Sequence, residues 1–340
     1  MKVLVTGTDG YIGSLLAPHL AELGHDVVGL DAGFYSDGML YQNGPSYTVL
    51  HKDTRQVTEA DLLGCDAVVH LAELSNDPLG QLNQDLTFAI NHRASVRLAE
   101  LAKKAGVKRF VYSSSCSVYG LGEDGARTEE SPVNPLTAYA KCKVLVERDV
   151  APLADATFSP TFLRNATAFG ASPRMRFDIV LNNLSGLAWT TRQIRMTSDG
   201  TPWRPLVHVL DICQAVACVL AAPRDAIHGQ TFNVGDSRQN YRVREIAETV
   251  ASAFPGCDLH FGSRDGDSRS YRVSFDKIQR HLPEFKCSYD AVRGAAQLHD
   301  VFSRIQMSQE TFDSPPFTRL RQFQRLIASQ RVDENLFWRN

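Results

Sequence analysis

The sequence has no paired cysteines. Its seven, Cys65, Cys116, Cys142, Cys213, Cys218, Cys257 and Cys287, are scattered, and none forms a CxxC unit. Neither a zinc site nor a disulfide framework is expected, and a reducing compartment fits. No apolar run approaches the length that spans a bilayer. No block of like charge stands out either: 36 Lys and Arg face 38 Asp and Glu, a formal charge of −2. Nucleic acid and anionic membrane are therefore not the expected partners. Any phosphate must be held by a few placed arginines and helix ends. Internal repeats and low-complexity linkers are missing. A strand pattern starts at residue 2, which leaves no room for a signal peptide, and a cytoplasmic location is expected. At 340 residues, 43% hydrophobic and 22% charged, the chain reads as globular, with one large or two ordinary domains.

What is present is organised around residues 1–13, MKVLVTGTDGYIG. Lys2 to Thr6 is a short β-branched and apolar run suited to one buried strand. Gly7, Gly10 and Gly13 follow at three-residue spacing, with Asp9, Tyr11 and Ile12 between them. Apolar residues then recur at helical spacing, at Leu15, Leu16, Leu20 and Leu23. In a strand–turn–helix context Gly7 allows the tight turn, Gly10 admits a pyrophosphate and Gly13 lets helix and strand pack closely. The helix N-terminus would face the phosphates. A second strand, 26–30, leads into Asp31, about twenty residues past the glycines. An acid there accepts hydrogen bonds from an adenosine ribose and repels the extra phosphate of NADP. The stretch therefore indicates a dinucleotide site, with NAD favoured.

Strand and helix patterns continue to alternate. Strands are expected at 47–51, 66–71, 109–114 and from 161, and helices at 83–105 and 137–153. Repeated βα units imply a doubly wound parallel sheet, with ligands beyond its carboxyl ends. After Gly170 the alternation weakens. Helices are expected at 177–188, 211–220 with Asp211 as N-cap, 243–254 and 289–302, and a strand at 231–235. A basic amphipathic tail follows Pro315. The expected class is α/β: a Rossmann-type sheet domain from 1–167 with 206–235, and a smaller α+β substrate-binding domain from 168–205 with 236–340.

Polar residues gather at the expected crevice. Ser113-Ser-Ser115 ends the fifth strand, Asn91 lies on the long helix, and Tyr139 and Lys143 share a helix face. A tyrosine is a poor base at its ordinary pKa of about 10. A lysine one turn away stabilises the phenolate. Such a phenolate could take a proton from a sugar hydroxyl, with Ser115 bonded to the same oxygen, while a nicotinamide takes the hydride. Each feature alone is commonplace; together, behind a dinucleotide fingerprint, they are far more specific.

With Asp53, His70-Leu-Ala72, Val118-Tyr-Gly120, Leu163-Arg164, Arg204, His208 and Asp211, these residues resemble the extended short-chain dehydrogenases/reductases, in the nucleotide-sugar epimerase/dehydratase group like the UDP-glucose 4-epimerases. The resemblance implies a Rossmann fold, tightly held NAD and a nucleoside-diphosphate sugar. It makes Tyr139 the base, Lys143 its partner and a ribose ligand, and Ser115 the third member, with Asn91 in support. Asp53 would bind the adenine amino group beside Thr54, and Leu71 and Ala72 would line the cofactor. Asn183-Leu184 resembles the stretch holding the substrate's base. Arg204 resembles an arginine on the substrate diphosphate, and Arg264 a second, with Arg269 and Arg272 as rivals. Segment 110–115 and the flanking helices resemble elements of family dimers, so a homodimer is implied.

Departures narrow the reaction. Cys116 and Ser117 stand where the group's 4,6-dehydratases place Asp and Glu. Carbinol redox chemistry remains, with epimerisation at carbon 4 the commonest outcome. Thr167 stands where the group has Asn, with Asn165 two residues earlier. Glu73, Ser75 and Asn76, in an unusual LSNDP segment, could hydrogen-bond sugar hydroxyls or cap the following helix. This segment and LRNATAFG resemble a bacterial subgroup. Two alternatives stay open: a net nucleotide-sugar oxidoreductase of the same fold, and a catalytically silent dinucleotide-binding regulator.

Overall fold

The computed structural model of the protein describes residues 1–75, 83–263 and 269–339 and, among these, every side chain except those of 122–124. Strand β1 (Lys2–Thr6) lies within the central sheet, and its Val3, Leu4 and Val5 are fully buried. Such continuous burial is what a strand covered on both faces requires. β2 (Asp26–Asp31) and β3 (Thr48–His51) extend the sheet on one side. β4 (Ala67–His70) and β5 (Arg109–Ser115) extend it on the other. β6 (Leu121–Arg127) leaves this sheet, β7 (Ser159–Asn165) rejoins it, and β8 (Thr167–Phe169), β9 (Gln193–Arg195) and β10 (Trp203–His208) leave again. β11 (Thr231–Val234) closes the order β11-β7-β5-β4-β1-β2-β3, with every pair parallel. The chain runs outward from β1 to β3 and returns on the other side of β1 at β4. A crevice opens beyond the carboxyl ends at that reversal.

Helices cover both faces: α1 (Gly13–Glu22), α2 (Ala94–Lys104), α3 (Ala138–Val150), α4 (Val180–Thr191) and α5 (Val209–Ala221). Leu4, Val68 and Phe110 pack with Leu98 of α2 and Val146 of α3. Val3 and Val5 point the other way, onto Leu16 of α1 and Ile212 of α5, as the two-residue period of a strand dictates. Beyond the sheet, β10 pairs with β8 on one side and β12 (Asn240–Arg242) on the other, β9 with β13 (Asp258–His260) and β6 with β14 (Ser270–Val273). α6 (Val243–Ala253) packs on β12 and β13, α7 (Ala291–Arg304) packs on α6 and α4, and α8 (Arg319–Ala328) places Phe323 and Leu326 in a separate apolar cluster with Leu74 and Ile90.

Three expectations are corrected. The helix expected over 83–105 is interrupted: a turn at Gln84–Thr87 leads into a π-helical segment, Phe88–Arg93, before α2. Asp211 is not an N-cap. His208 caps α5, its Nδ1 accepting from Leu210 N–H at 3.2 Å. Asp211 instead accepts from the N–H groups of Ser288 and Tyr289. The helix expected at 177 starts at Val180. His70 of the His-Leu-Ala motif is structural. Its ring bonds Thr6 at 2.7 Å and Ser95 at 2.8 Å, and burial pushes its pKa down to about 3, so the neutral ring ties β4 to β1 and α2.

Candidate active site

The glycine turn after β1 is shaped by close backbone approach. Gly7 has φ +80°, and a Cβ on it would stand 2.8 Å from the Ala72 nitrogen. A Cβ on Gly13 would stand 2.1 Å from the Gly7 oxygen. Thr6 Oγ1 accepts from the N–H groups of Leu71 and Ala72 at 3.2 Å, holding the β4 loop against the turn. Tyr11 anchors the turn from the far side, its hydroxyl donating to Gly170 O at 2.7 Å. At the end of β2, Asp31 accepts from Asp9 N–H at 2.9 Å and Gly33 N–H at 2.7 Å. Burial, helped by the neighbouring Asp9 charge, pushes its carboxyl up to about 6. Asp53 caps a short turn and pairs with Arg55 at 2.7 Å, with Thr54 buried behind it.

One cleft of about 710 Å³ joins this cradle to the ends of β5 and β7. Gly7, Gly10, Ile12, Gly13, Asp31 and Asp53 line one part of it, and Ser115, Tyr139, Lys143, Asn165 and Thr167 another. Ser115 is the last residue of β5, and its hydroxyl accepts from Ser117 N–H at 3.1 Å. Thr137 caps α3 and so sets where Tyr139 and Lys143 enter the cleft. Lys143 Nζ lies 5.3 Å from the centre of the Tyr139 ring and donates to Ser113 O. It also forms a 2.6 Å ion pair with Glu73, which accepts from Tyr112 Oη at 2.6 Å.

Glu73, expected among the sugar contacts, therefore spends its carboxylate on Lys143. At 2% side-chain exposure it needs a cation close by. Burial opposes the charge on Lys143, yet Glu73 and Tyr139 together hold its pKa above the ordinary lysine value. Asn165 donates to Ser113 Oγ at 2.9 Å, and its Oδ1 is buried with no partner among the described residues. Ser117 Oγ is buried and, among the described residues, unpartnered as well. Two orphaned polar atoms on the wall beside Ser115 suit a hydroxyl-rich ligand.

Other expected residues are spread along the same cleft. Leu71, Ala72, Ser75, Asn183, Arg204 and Arg269 line it. Ser75 accepts from Arg176, Asn183 donates to Phe177 O, and Arg204 donates to the carbonyls of Trp203 and Arg269. Asp9, Asn91 and Leu184 stand off the wall. Asn91 holds it indirectly, bonding both Leu74 N–H at 2.8 Å and Leu74 O at 3.0 Å. Asn76 and Arg264 lie outside the described residues. Sequence reasoning missed Tyr35, Arg176, Asp178, Arg319 and Phe323, all on the wall. Arg319 and Phe323 were accessible as an i, i+4 pair in the basic amphipathic tail.

A glycine cradle, two acids, Asp31 and Asp53, and a Ser, Tyr, Lys set in one cleft define a dinucleotide-dependent enzyme of Rossmann type, and the residues present fit NAD. The chain belongs to the NAD-dependent epimerase/dehydratase family, whose profile matches residues 3–235. It is 30% identical over 302 residues to a UDP-glucose 4-epimerase of Mycolicibacterium smegmatis, covering 83% of this chain and 92% of that one. It is 29% identical to the UDP-glucose 4-epimerase of Bacillus subtilis, covering 88% and 94%. Among solved structures it resembles MoeE5 in complex with UDP-glucuronic acid and NAD. That likeness has a TM-score of 0.77 and 28% identity, over 89% of this chain and 99% of the other.

Proposed function

We propose that the protein is an NAD-dependent nucleoside-diphosphate-sugar epimerase that inverts carbon 4 through a transient 4-keto sugar. The observation that supports it most is the cleft itself, where Ser115, Tyr139 and Lys143 meet a glycine cradle. The similarity to UDP-glucose 4-epimerases supports a uridine nucleotide. Bound NAD would supply a reversible hydride acceptor. In this reading Gly7, Gly10 and Gly13 admit its pyrophosphate, and Asp31 and Asp53 hold its adenosine. Tyr139, as phenolate, accepts the proton of the 4-hydroxyl and returns it. The Lys143 ammonium stabilises that phenolate. Ser115 donates to the same oxygen, where charge develops. Asn165 Oδ1 accepts from a second sugar hydroxyl, and Arg204 and Arg269 pair with the diphosphate.

The two positions after Ser115 weigh against dehydration. Cys116 is 1% exposed, burial pushes its thiol far up, and it donates to Arg164 O at 3.1 Å. Ser117 is a poor proton donor at neutral pH. The test is to incubate the protein as purified with UDP-glucose and no added cofactor, following UDP-galactose and reduced nicotinamide together. Epimer formation without accumulating reduced cofactor is expected. Stoichiometric reduction would establish the oxidoreductase alternative instead. Tyr139→Phe should lower kcat by about 10²–10⁴-fold with NAD binding intact; near-normal turnover would sink the mechanism.

A further inference from the structure

The C-terminal residues pack on the parts of the site assigned above to the adenosine. Trp338 Nε1 donates to Ala32 O at 2.5 Å, beside Asp31. Gln322 Nε2 donates to Phe34 O at 2.6 Å. Phe34 stacks on Trp338 with ring centres 5.8 Å apart and meets Phe323 edge-on at 5.1 Å. Phe337 lies 3.8 Å beneath the guanidinium of Arg55, the partner of Asp53, and Asn335 O accepts from the same group. Phe323, Leu326, Val332 and Leu336 share an apolar cluster with Leu74 and Ile90. The segment thus bridges the β2 loop, the Asp53 turn and the β4 loop.

Arg319, the first residue of α8, is 2% exposed yet lines the cleft. Its guanidinium lies 4.0 Å over Tyr35 and donates to Pro316 O and Arg174 O. Arg176, also on the wall, is already paired with Asp178 at 2.9 Å and 3.1 Å. Arg174 lies 3.6 Å from Asp9. Arg319 makes no ion pair with a described carboxylate. Burying a guanidinium without a counter-charge is costly, and desolvation accordingly pulls its pKa down to about 10. Tyr35, Asp178 and Asp31 offset this cost only in part, and a buried cation with no ion-paired carboxylate among the described residues, on the wall of this cleft, is placed for an anion.

We propose that the C-terminal segment 319–339 contributes a wall of the dinucleotide site through Arg319 and Phe323, with Arg319 pairing with the pyrophosphate and Phe34 and Phe323, held in place by Trp338, bounding the adenosine. The proposal rests on the cofactor and not on the reaction, so it stands or falls apart from the epimerase reading. A nucleotide sugar carries the same diphosphate chemistry, and separate probes distinguish the two sources. Calorimetric titration of full-length protein, freed of nucleotide, would measure affinity for ADP-ribose, adenosine and UDP. Arg319→Met should weaken ADP-ribose at least about tenfold, with adenosine and UDP within twofold of wild type. Trp338→Ala should weaken ADP-ribose and adenosine alike. Unchanged ADP-ribose affinity in folded Arg319→Met overturns the assignment. So does a loss confined to UDP, which would give the guanidinium to the substrate. Should the methionine variant not fold, Arg319→Lys, which keeps charge but not the fork, replaces it, with severalfold weaker ADP-ribose binding expected and an unchanged affinity counting against the proposal.

Discussion

Asp31 ends β2 with its carboxyl accepting two backbone N–H groups, and still its pKa stands at about 6, because burial and the Asp9 charge outweigh those bonds. The folded protein therefore keeps a proton that the unfolded chain sheds near pH 4. On this account the stability of the nucleotide-free protein falls as pH rises through that interval. A ribose hydroxyl donates more strongly to a carboxylate than to a carboxylic acid. NAD affinity should therefore rise about tenfold between pH 5 and pH 7, and calorimetry on Asp31→Asn should show the dependence flattened. Glu73 gives a second residue-scale expectation. The described groups facing Lys143 are Glu73, Tyr112, Tyr139, Cys142 and His70, and Arg176 acts on Tyr139 from the opposite loop. His70 stays neutral, and Tyr112 and Cys142 are raised beyond the working range. Burial pushes the Glu73 carboxyl up while Lys143 and Tyr112 pull it back, and in its ionised form Glu73 offsets the pull of Lys143 on the phenolate. Glu73→Gln should move the acid limb of the kcat/KM profile to lower pH. Glu73→Leu should cost about 3 kcal/mol in denaturant unfolding, since it strands a buried ammonium.

At the scale of elements, the turn from β1 into α1 is the least forgiving. Gly13→Ala places a Cβ at 2.1 Å from a carbonyl oxygen, so helix and strand must separate. NAD binding should then fall by an order of magnitude or more, read by ligand-induced thermal shift. The π-helical segment serves the site differently. Its wide turn carries Asn91, whose amide replaces the missing backbone partners of Leu74. Asn91→Leu leaves a buried N–H and C=O unpaired. About 2–4 kcal/mol of stability should be lost, together with order in the loop that bears Glu73 and Ser75. The helical pattern of 83–105 was legible in the sequence, but its interruption was not. A π turn leaves the apolar spacing nearly intact and shows itself only in hydrogen bonds.

At the scale of the whole molecule, the central sheet, the small sheets and the C-terminal segment all contribute to the wall of one cleft. No described helix is long and apolar enough to cross a membrane. The implied homodimer would show a mass of about 75 kDa by light scattering, twice the 37.6 kDa of one chain.

Local features were enough for the sheet and the cradle. β-branched runs make strands, glycines permit close approach, and Tyr139 and Lys143 share a face because a helix turns every 3.6 residues. These are properties of neighbours in the chain, and the sequence alone determined them. What only the tertiary structure decided is which charges meet. Glu73 and Lys143 are seventy residues apart in the chain, and Arg319 reaches the cleft from its far end. Burial, which decides whether a carboxylate binds sugar or compensates a lysine, depends on packing against remote segments and leaves no local trace.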